Sequence, residues 1–561
     1  MGYNITNEDW ELLTQPGRFV VIQRLRVLDD DLIVLSELEG VIGNVNISEN
    51  AESDVRKTTS FTLTPTWRSN IEINEESLIW INRNLEIQIG IHNLRTNEYK
   101  WYDQGLYIFT DTSATYDEVT NQLTVNCGDW WTKLDGTKNG QIGALTTIIP
   151  AYKEDEETGE PIKYNIIRDA IIETATQLGS VKKYQIDDWG EYYAMPQNNP
   201  DYEAYRAKND LWNTVPYDLE FSVGTSVAAI LTELRDLYPN YELYFDQDVL
   251  IGGMIPSNEY DPVMIDNDQL QSVFISESTT IPLNQVRNVC EVWGQVLETD
   301  RYADTGVTNT NGVYEVTLEE YEEYSGGDKI AILVPSANTD SQKININSLG
   351  AHVIYDPDTE EEITAGRMEA NKTYVLQYKR TRVSGEYIHK FYLLGCFQCH
   401  AMDILTGIVD ADHPYVGHRY DRTEVLCTSY EELKQYFKDK HNCDEVTLTI
   451  IPDSPYTIQK LGEILDVKSG GEYEKIYSDS LASARAIYEN WKNCRLTDNV
   501  TITTQVIPFL KTNIKVEYKR KNQDEIHQYI IKSYSNDYEG FQSTITMMRF
   551  YPLYIPDEEV A

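Results

Sequence analysis

The densest chemistry in this 561-residue chain lies around Cys396-Phe-Gln-Cys399-His400. C-x-x-C-H spells the attachment site of a c-type haem. Haem attachment needs export and an apolar pocket, whereas the flank Phe391-Tyr-Leu-Leu394 reads as a buried strand, so two small buried thiols are the favoured reading. Five of the eight histidines (His389, His400, His413, His418, His441) fall in the same region, with Cys427, Cys443, Asp403, Asp410, Asp412 and Asp421 close in sequence. Cys396 and Cys399 could give two thiolates to a tetrahedral zinc, completed by two of Cys427, His441 and Cys443. The zinc candidates are therefore Cys396, Cys399, His441 and Cys443. Against them, the second pair lacks a standard spacing. On an extended strand Cys396 and His400 also share one face while Cys399 takes the other. A metal-free, cofactor-free region is expected.

Catalytic motifs are missing. No HExxH, no GxSxG and no GxxxxGK followed by Ser or Thr occurs, which leaves hydrolase and nucleotide chemistry without a signature. The acidic turn Asp356-Pro-Asp-Thr-Glu-Glu-Glu362 lacks the EF-hand pattern and reads as a solvated loop. Met1-Gly2 with Thr6 fits a myristoylation signal, yet no polybasic segment accompanies it, and an ordinary start is expected. The N-terminus has neither the basic nor the apolar region of a secretion signal, and no apolar run is long enough to span a bilayer.

The elements that would position these residues are mostly strands. Arg18–Leu28, Ser60–Thr64, Leu85–Ile91 and Gln122–Asn126 alternate apolar and polar residues, the period of a half-buried sheet. After the acidic stretch Lys153–Gly159 the character changes. Asn165 is expected to cap a helix through Ile167, Ile171, Ala175 and Leu178 that stops at Gly179, and Thr225 a second helix through Val227, Ile230, Leu231, Leu234 and Leu237. Glu242–Asp246 and Val249–Ile251 predict a hairpin, and residues 181–210 look irregular. Further on, Thr428-Ser-Tyr-Glu431 has capping-box spacing, and a helix near Ser478 carries Leu481, Ala484, Ile487, Tyr488 and Trp491. Val500–Val506, Ile514–Tyr518, Tyr529–Ile531 and Ser543–Met548 return to strand pattern.

At ~150 residues per domain the length suggests about three to five domains. The balance of 47 basic to 91 acidic residues, net −44, repels phosphate backbones and argues against a nucleic-acid reader. It suits a wall that DNA must pass without sticking, or solubility alone. Seven cysteines, an odd number in a large chain, do not make a disulfide framework and fit a reducing cytoplasm. Forty tyrosines suit half-buried strands and interfaces.

Three stretches, taken in order, resemble the phage baseplate hub or tail-tip (tail-associated) proteins. The first holds Val45–Ser48, Asp54-Val-Arg-Lys-Thr58, Trp80–Arg83, Gly105–Phe109, Leu123–Asp129 and Lys133–Gly136. The second is the helix after Gly224-Thr-Ser226 with its Tyr- and Asp-bearing hairpin and Asn288–Gly294. The third is Ala484–Trp491 and the strands ending in Ile545–Pro552. The resemblance implies a homotrimer in which each subunit gives two tail-tube-like β-barrel domains to a pseudo-sixfold ring. Such a ring would join a sixfold tail tube or distal tail protein to a threefold spike or fibre, with tape-measure protein and DNA passing through during genome ejection. The expected fold is mainly β with α+β parts and multidomain: 1–150 and 271–300 with 476–561 as the two barrels, 151–270 as a small α+β domain, and 301–475 as an inserted peripheral domain. That insert has no counterpart in the family.

Three functions compete on this reading: a structural, non-enzymatic virion hub, a receptor- or saccharide-binding tip protein using aromatic rings of 300–475, and a tail-associated peptidoglycan hydrolase.

Overall fold

A computed structural model describes residues 5–17, 20–38, 41–64, 77–117, 119–143, 147–150, 153–154, 161–162, 165–187, 215, 219–238, 240–256, 261–281, 284–297, 299, 301–303, 306–319, 321–357, 361–383, 386–395, 398–419, 422–443, 445–476, 479–495 and 498–551. The chain divides into two compact units. The first gathers Met1–Ala151, Asn165–Pro282 and Thr497–Leu553, and the second Tyr152–Tyr164, Leu283–Leu496 and Tyr554–Ala561.

In the first unit the alternating strands behave as their period requires. Lys57–Thr64 buries Lys57, Thr59, Phe61 and Leu63, and Asn499–Gln505 buries Val500, Ile502 and Thr504. The pairing is less predictable. Val41–Asn50 lies between Lys57–Thr64 on one side and His527–Asp537 on the other, so the two expected β domains share one thirteen-stranded sheet. No closed barrel is found among the described residues. The sheet runs from Phe274–Thr280 through Asn499–Gln505, Gln542–Arg549 and His527–Asp537 into Val41–Asn50. It continues through Lys57–Thr64, Gln122–Gly128, Glu98–Asp117, Asn84–Asn93 and Val21–Leu28 to Val34–Glu37.

Two cores lie against this sheet, and each draws on both ends of the chain. One packs Val45, Phe61, Leu85, Ile87, Tyr107 and Val125 with Val506 and Tyr538. The other packs Trp10, Leu13 and Tyr102 with Val500, Ile531 and Met547. Neither block can bury its apolar face alone, which is why they merge. Thr6 works here as a helix cap. It opens Asn7–Leu13, its amide and hydroxyl both donating to Asp9 Oδ2 at 2.9 and 2.6 Å.

The α+β segment of the first unit has its own core, in which Ile171, Ala175, Ile230, Leu231 and Leu234 meet Leu243 and Leu250. Both expected caps shift by one residue. Ile166 precedes the helix Ile167–Glu173, while Asn165 is buried and spends its amide on Pro150 O at 2.8 Å. The helix ends in a π turn, Thr174–Leu178, before Gly179. Ser226, not Thr225, caps Val227–Leu237, its hydroxyl accepting from Ala229 N. The hairpin forms as Tyr241–Asp246 with Val249–Met254. Most of 181–210, and of the acidic stretch 153–159, lies outside the described residues.

The second unit contains an eight-stranded sheet within 302–395 and a four-stranded one. The smaller sheet runs Glu445–Ile450, Gln398–Thr406, Val289–Val296, Leu465–Lys468. This corrects two assignments. Val289–Val296 and the helix Asp479–Asn493, both expected in the second barrel, pack here instead. The strand is covered on both faces, Val289 meeting Leu433 and Phe437 while Cys290 and Val292 meet Ala482 and Ala486. A doubly covered strand needs a helix on each side, and 430–441 and 479–493 supply them.

The helix also presents a different stripe from the one its apolar residues mark. Asp479, Ala482, Ser483, Ala486, Glu489 and Asn490 are buried, whereas Leu481, Ala484, Ile487, Tyr488 and Trp491 are only half-buried. Small residues let the helix approach the strands closely, and the buried polar ones bond there. The other capping box is likewise one residue late. Ser429 caps Tyr430–His441 and accepts from Glu432 N, while the Glu432 carboxylate reaches back to Thr428 N at 2.6 Å.

Candidate functional site

Cys399, His441 and Cys443 do not form a metal centre. Cys396 lies outside the described residues. Cys399 and His400 are consecutive on the Gln398–Thr406 strand and therefore face opposite ways. Cys399 packs among Leu297, Ala331, Val375 and Leu394. Cys443 Sγ donates to His400 O at 3.6 Å and to Glu445 O at 3.2 Å. Among the described residues no group of three His, Cys, Asp or Glu side chains is placed to hold a metal ion.

What His400 and His441 share is Glu291, which no sequence motif marks. Glu291 is buried on Val289–Val296, and its Oε1 lies 2.7 Å from His400 Nε2. The Trp293 ring stacks on the His400 ring at 3.7 Å and 13°. His441 Nδ1 lies 3.8 Å from Glu291 Oε2, and burial lowers the His441 pKa although Glu291 opposes the fall. The His400 amide donates to Asp479 Oδ1 at 3.1 Å. Gly395, with φ +127°, leaves room for that carboxylate, because a Cβ there would stand 2.8 Å from Asp479 Oδ2. The arrangement locks two strands and two helices together. The sequence signal was a carboxylate flanked by Cys290 and Val292, an ionic residue inside an apolar strand.

Asp403, close in sequence to the zinc candidates, is fully buried and held by neutral donors. Thr447 Oγ1 and Thr449 Oγ1 donate at 2.8 Å each and Asn490 Nδ2 at 2.6 Å. Burial nevertheless raises its pKa. Of the tyrosine rings offered for stacking on sugars, Tyr314, Tyr378 and Tyr392 are buried and Tyr302 is exposed.

The most extensive ionic constellation is in the first unit. Arg56 Nε lies 3.0 Å from Glu49 Oε1 and Nη1 lies 2.6 Å from Glu242 Oε2, while the guanidinium stacks on the Tyr244 ring at 3.8 Å. Thr512 Oγ1 and Tyr534 OH donate to the Glu49 carboxylate at 2.6 and 2.9 Å. Beside them, Lys57 and Lys511 each place Nζ 3.1 Å from an oxygen of Asp246. Asn513 Nδ2 donates to Glu242 at 2.7 Å. Burial pushes Glu49 up, but the Lys57 and Arg56 charges outweigh it and hold the carboxyl below its ordinary value. The same contest ends with Asp246 held down by Lys57 and Lys511, and with Lys57 raised by Glu49 and Asp246. Three cations and three carboxylates balance in a site whose centre, Glu49 and Arg56, is buried and whose rim, Glu242, Asp246 and Lys511, is partly exposed; pairing is the condition under which buried charges are tolerated.

This network gathers residues from three separate stretches. Arg56 and Lys57 come from Asp54–Thr58, Glu242, Tyr244 and Asp246 from the hairpin, Thr512 from the segment before Lys515–Tyr518, and Tyr534 from the strand His527–Asp537. Asn288–Gly294 and Ala484–Trp491, the other parts of the stretches that resemble the family, lie in the second unit.

Residues 453–554 match a family described as "Domain of unknown function (DUF5048)". No curated protein matches the chain. Among solved structures the chain is similar to the tail protein from Neisseria meningitidis MC58, at 6% identity and TM-score 0.38, over 94% of this chain and 96% of that one. It is also similar to prophage tail protein gp18 from Listeria monocytogenes EGD-e (9%, TM-score 0.37, 94% of each chain). A third is the 43 kDa tail protein of prophage MuSo2 from Shewanella oneidensis (8%, TM-score 0.38, 94% and 97%). These neighbours are tail proteins.

A prediction follows for the thiols. Cys127, Cys290, Cys427 and Cys494 are free and buried, Cys399 and Cys443 are buried too, and burial pushes the Cys427 thiol up to about 11. A buried, protonated thiol is a poor nucleophile. Mass spectrometry after alkylation should find all six unlabelled in the native chain, and Cys127, Cys290, Cys427 and Cys494 labelled after unfolding. Fast native labelling of Cys399 or Cys443 would contradict their placement.

Proposed function

We propose that this chain is a structural hub of a phage tail, three copies of which form a ring between a sixfold tail tube or distal tail protein and a threefold spike or fibre. The observation that carries the reading is one ion network that ties Arg56 and Lys57 to the hairpin residues Glu242 and Asp246 and to Lys511, Thr512 and Tyr534, beside a sheet continuous through both β blocks. A hub must hold parts distant in sequence as one rigid body, and this network does so inside a single subunit.

Further support comes from the sheet's ends. Val34–Glu37 and Phe274–Thr280 are unpaired on their outer sides among the described residues, and Ile33, Val34, Leu35 and Ile275 are exposed there. Open edges with apolar side chains are templates for another chain. Two unlike edges joined head to tail give a rotational ring rather than a twofold pair. The net charge of −44 suits a lumen through which tape-measure protein and DNA slide without sticking. No turnover belongs to this role, and its place is the virion tail.

Light scattering on the purified chain, alone and with its tail partner, should give a mass near three times 64.6 kDa in at least one condition. A stable twofold dimer in both would sink the reading.

A further inference from the structure

Most lysines packed into the first unit have a carboxylate to neutralise them. Lys57 and Lys511 pair with Asp246, and Lys100 with Asp9. Lys133 differs. It ends the short helical turn Trp130–Lys133, where its Nζ lies 3.5 Å from the centre of the Trp130 ring. Its acceptor among the described residues is not a carboxylate but an amide, Asn84 Oδ1 at 3.3 Å. Asn84 is 1% exposed, and its amide is held from both ends, since Nδ2 donates to Asp29 O at 2.8 Å. Burial pushes the Lys133 pKa down to about 8, with Asp30 opposing the fall and Lys138 adding to it. About a tenth of such an amine is neutral at pH 7, against under a thousandth for an ordinary lysine. Desolvation and neighbouring cations are the usual means of making a lysine nucleophilic.

We propose that Lys133 and Asn84 condense into an intramolecular isopeptide bond, stapling the start of the Asn84–Asn93 strand to the Trp130–Lys133 turn. The neutral Nζ attacks Asn84 Cγ and the Nζ–Cγ bond forms. The Cγ–Nδ2 bond breaks, the proton lost by Nζ passes to Nδ2, and ammonia leaves. Atoms and charge balance without oxidant or co-reactant. Asp30 is the carboxylate whose charge acts most strongly on Lys133 and opposes the loss of its proton. The Trp130 ring over Nζ and the burial of Asn84 limit the water that would compete by hydrolysis. Lys138 does not compete for the amide, because its Nζ donates to Ile81 O. The result is a covalent tie that neither salt nor acid loosens, in a chain otherwise held by ion pairs.

Intact-mass measurement on the purified full chain tests this. The chain should be about 17 Da lighter than its sequence, the mass of the ammonia released in acyl transfer to the amine. Peptide mapping should show no tryptic cleavage after Lys133 and one branched peptide joining residues 84 and 133. Lys133→Arg keeps the charge and the donors and should restore the full mass. A full-mass wild-type chain after prolonged incubation near pH 9, with Lys133 free to be acetylated, would overturn the proposal. So would a lighter chain without the branched peptide.

Discussion

Replacing Arg56 with methionine is expected to destabilise the first unit by about 3–5 kcal/mol, because removing one partner leaves buried carboxylates uncompensated. The Arg56 side chain is 4% exposed and touches Glu49, Glu242, Thr512 and Tyr244. Methionine fills a similar volume, so the loss reports charge rather than a cavity. Urea unfolding followed by tryptophan fluorescence would measure it, and a loss under about 1 kcal/mol would show the network to be ornamental. A double variant, Arg56→Met with Glu242→Gln, should recover part of the loss, since the stranded charge is removed along with its partner.

The pH dependence has a definite sign. Glu49 and Asp246 have pKa values lowered by folding, so their contribution is present above the unfolded values and is lost as pH falls through the folded ones. Lys57 is raised, and its contribution is lost only at strongly alkaline pH. The first unit should therefore loosen in acid. Any staple at Lys133 would persist through that transition and keep the unfolded chain compact.

The second large effect concerns Asp403. Asn490→Leu removes the 2.6 Å donor to a fully buried carboxylate and should cost about 2–3 kcal/mol in the second unit. Here the pH sign is opposite. Burial raises the Asp403 pKa, so the carboxyl is best tolerated below its unfolded value, and that contribution is lost as pH rises through the folded one. The Asn490→Leu chain should recover stability as pH is lowered toward 4, relative to the unaltered chain. If the two chains keep a constant difference from about pH 4 to 8, Asp403 is not the group that feels the substitution.

These two sites mark how far a sequence reading reaches. The first adjoins a strand recognisable in advance, since Ser60–Thr64 alternates with period two, whereas Gln398–Thr406, which carries Asp403, is buried along nearly its whole length and has no such period. Neither partner set was legible. Glu49 and Tyr534 are 485 residues apart, and Asp403 and Asn490 are 87 apart. Nothing in local spacing selects among the 91 acidic residues those that will be buried. The zinc candidates show what local geometry can settle, since Cys399 and His400 are consecutive on the strand Gln398–Thr406 and turn to opposite faces.

What the sequence by itself determined is local: strand periodicity, helix positions to within a residue at the caps, the absence of catalytic motifs, and a strong negative charge. Those depend on interactions within a few residues, where steric preference and hydrogen bonding act without outside help. Only the tertiary structure decided that Val41–Asn50 pairs with His527–Asp537, joining two β blocks in one sheet. It alone moved Val289–Val296 and Asp479–Asn493 into the second unit and turned a helix on its small and polar residues. Alternation tells a strand which face to bury but not which strand lies beside it. That choice is made by closing long loops around shared cores, where the burial of residues far apart in sequence must outweigh the entropy of bringing them together.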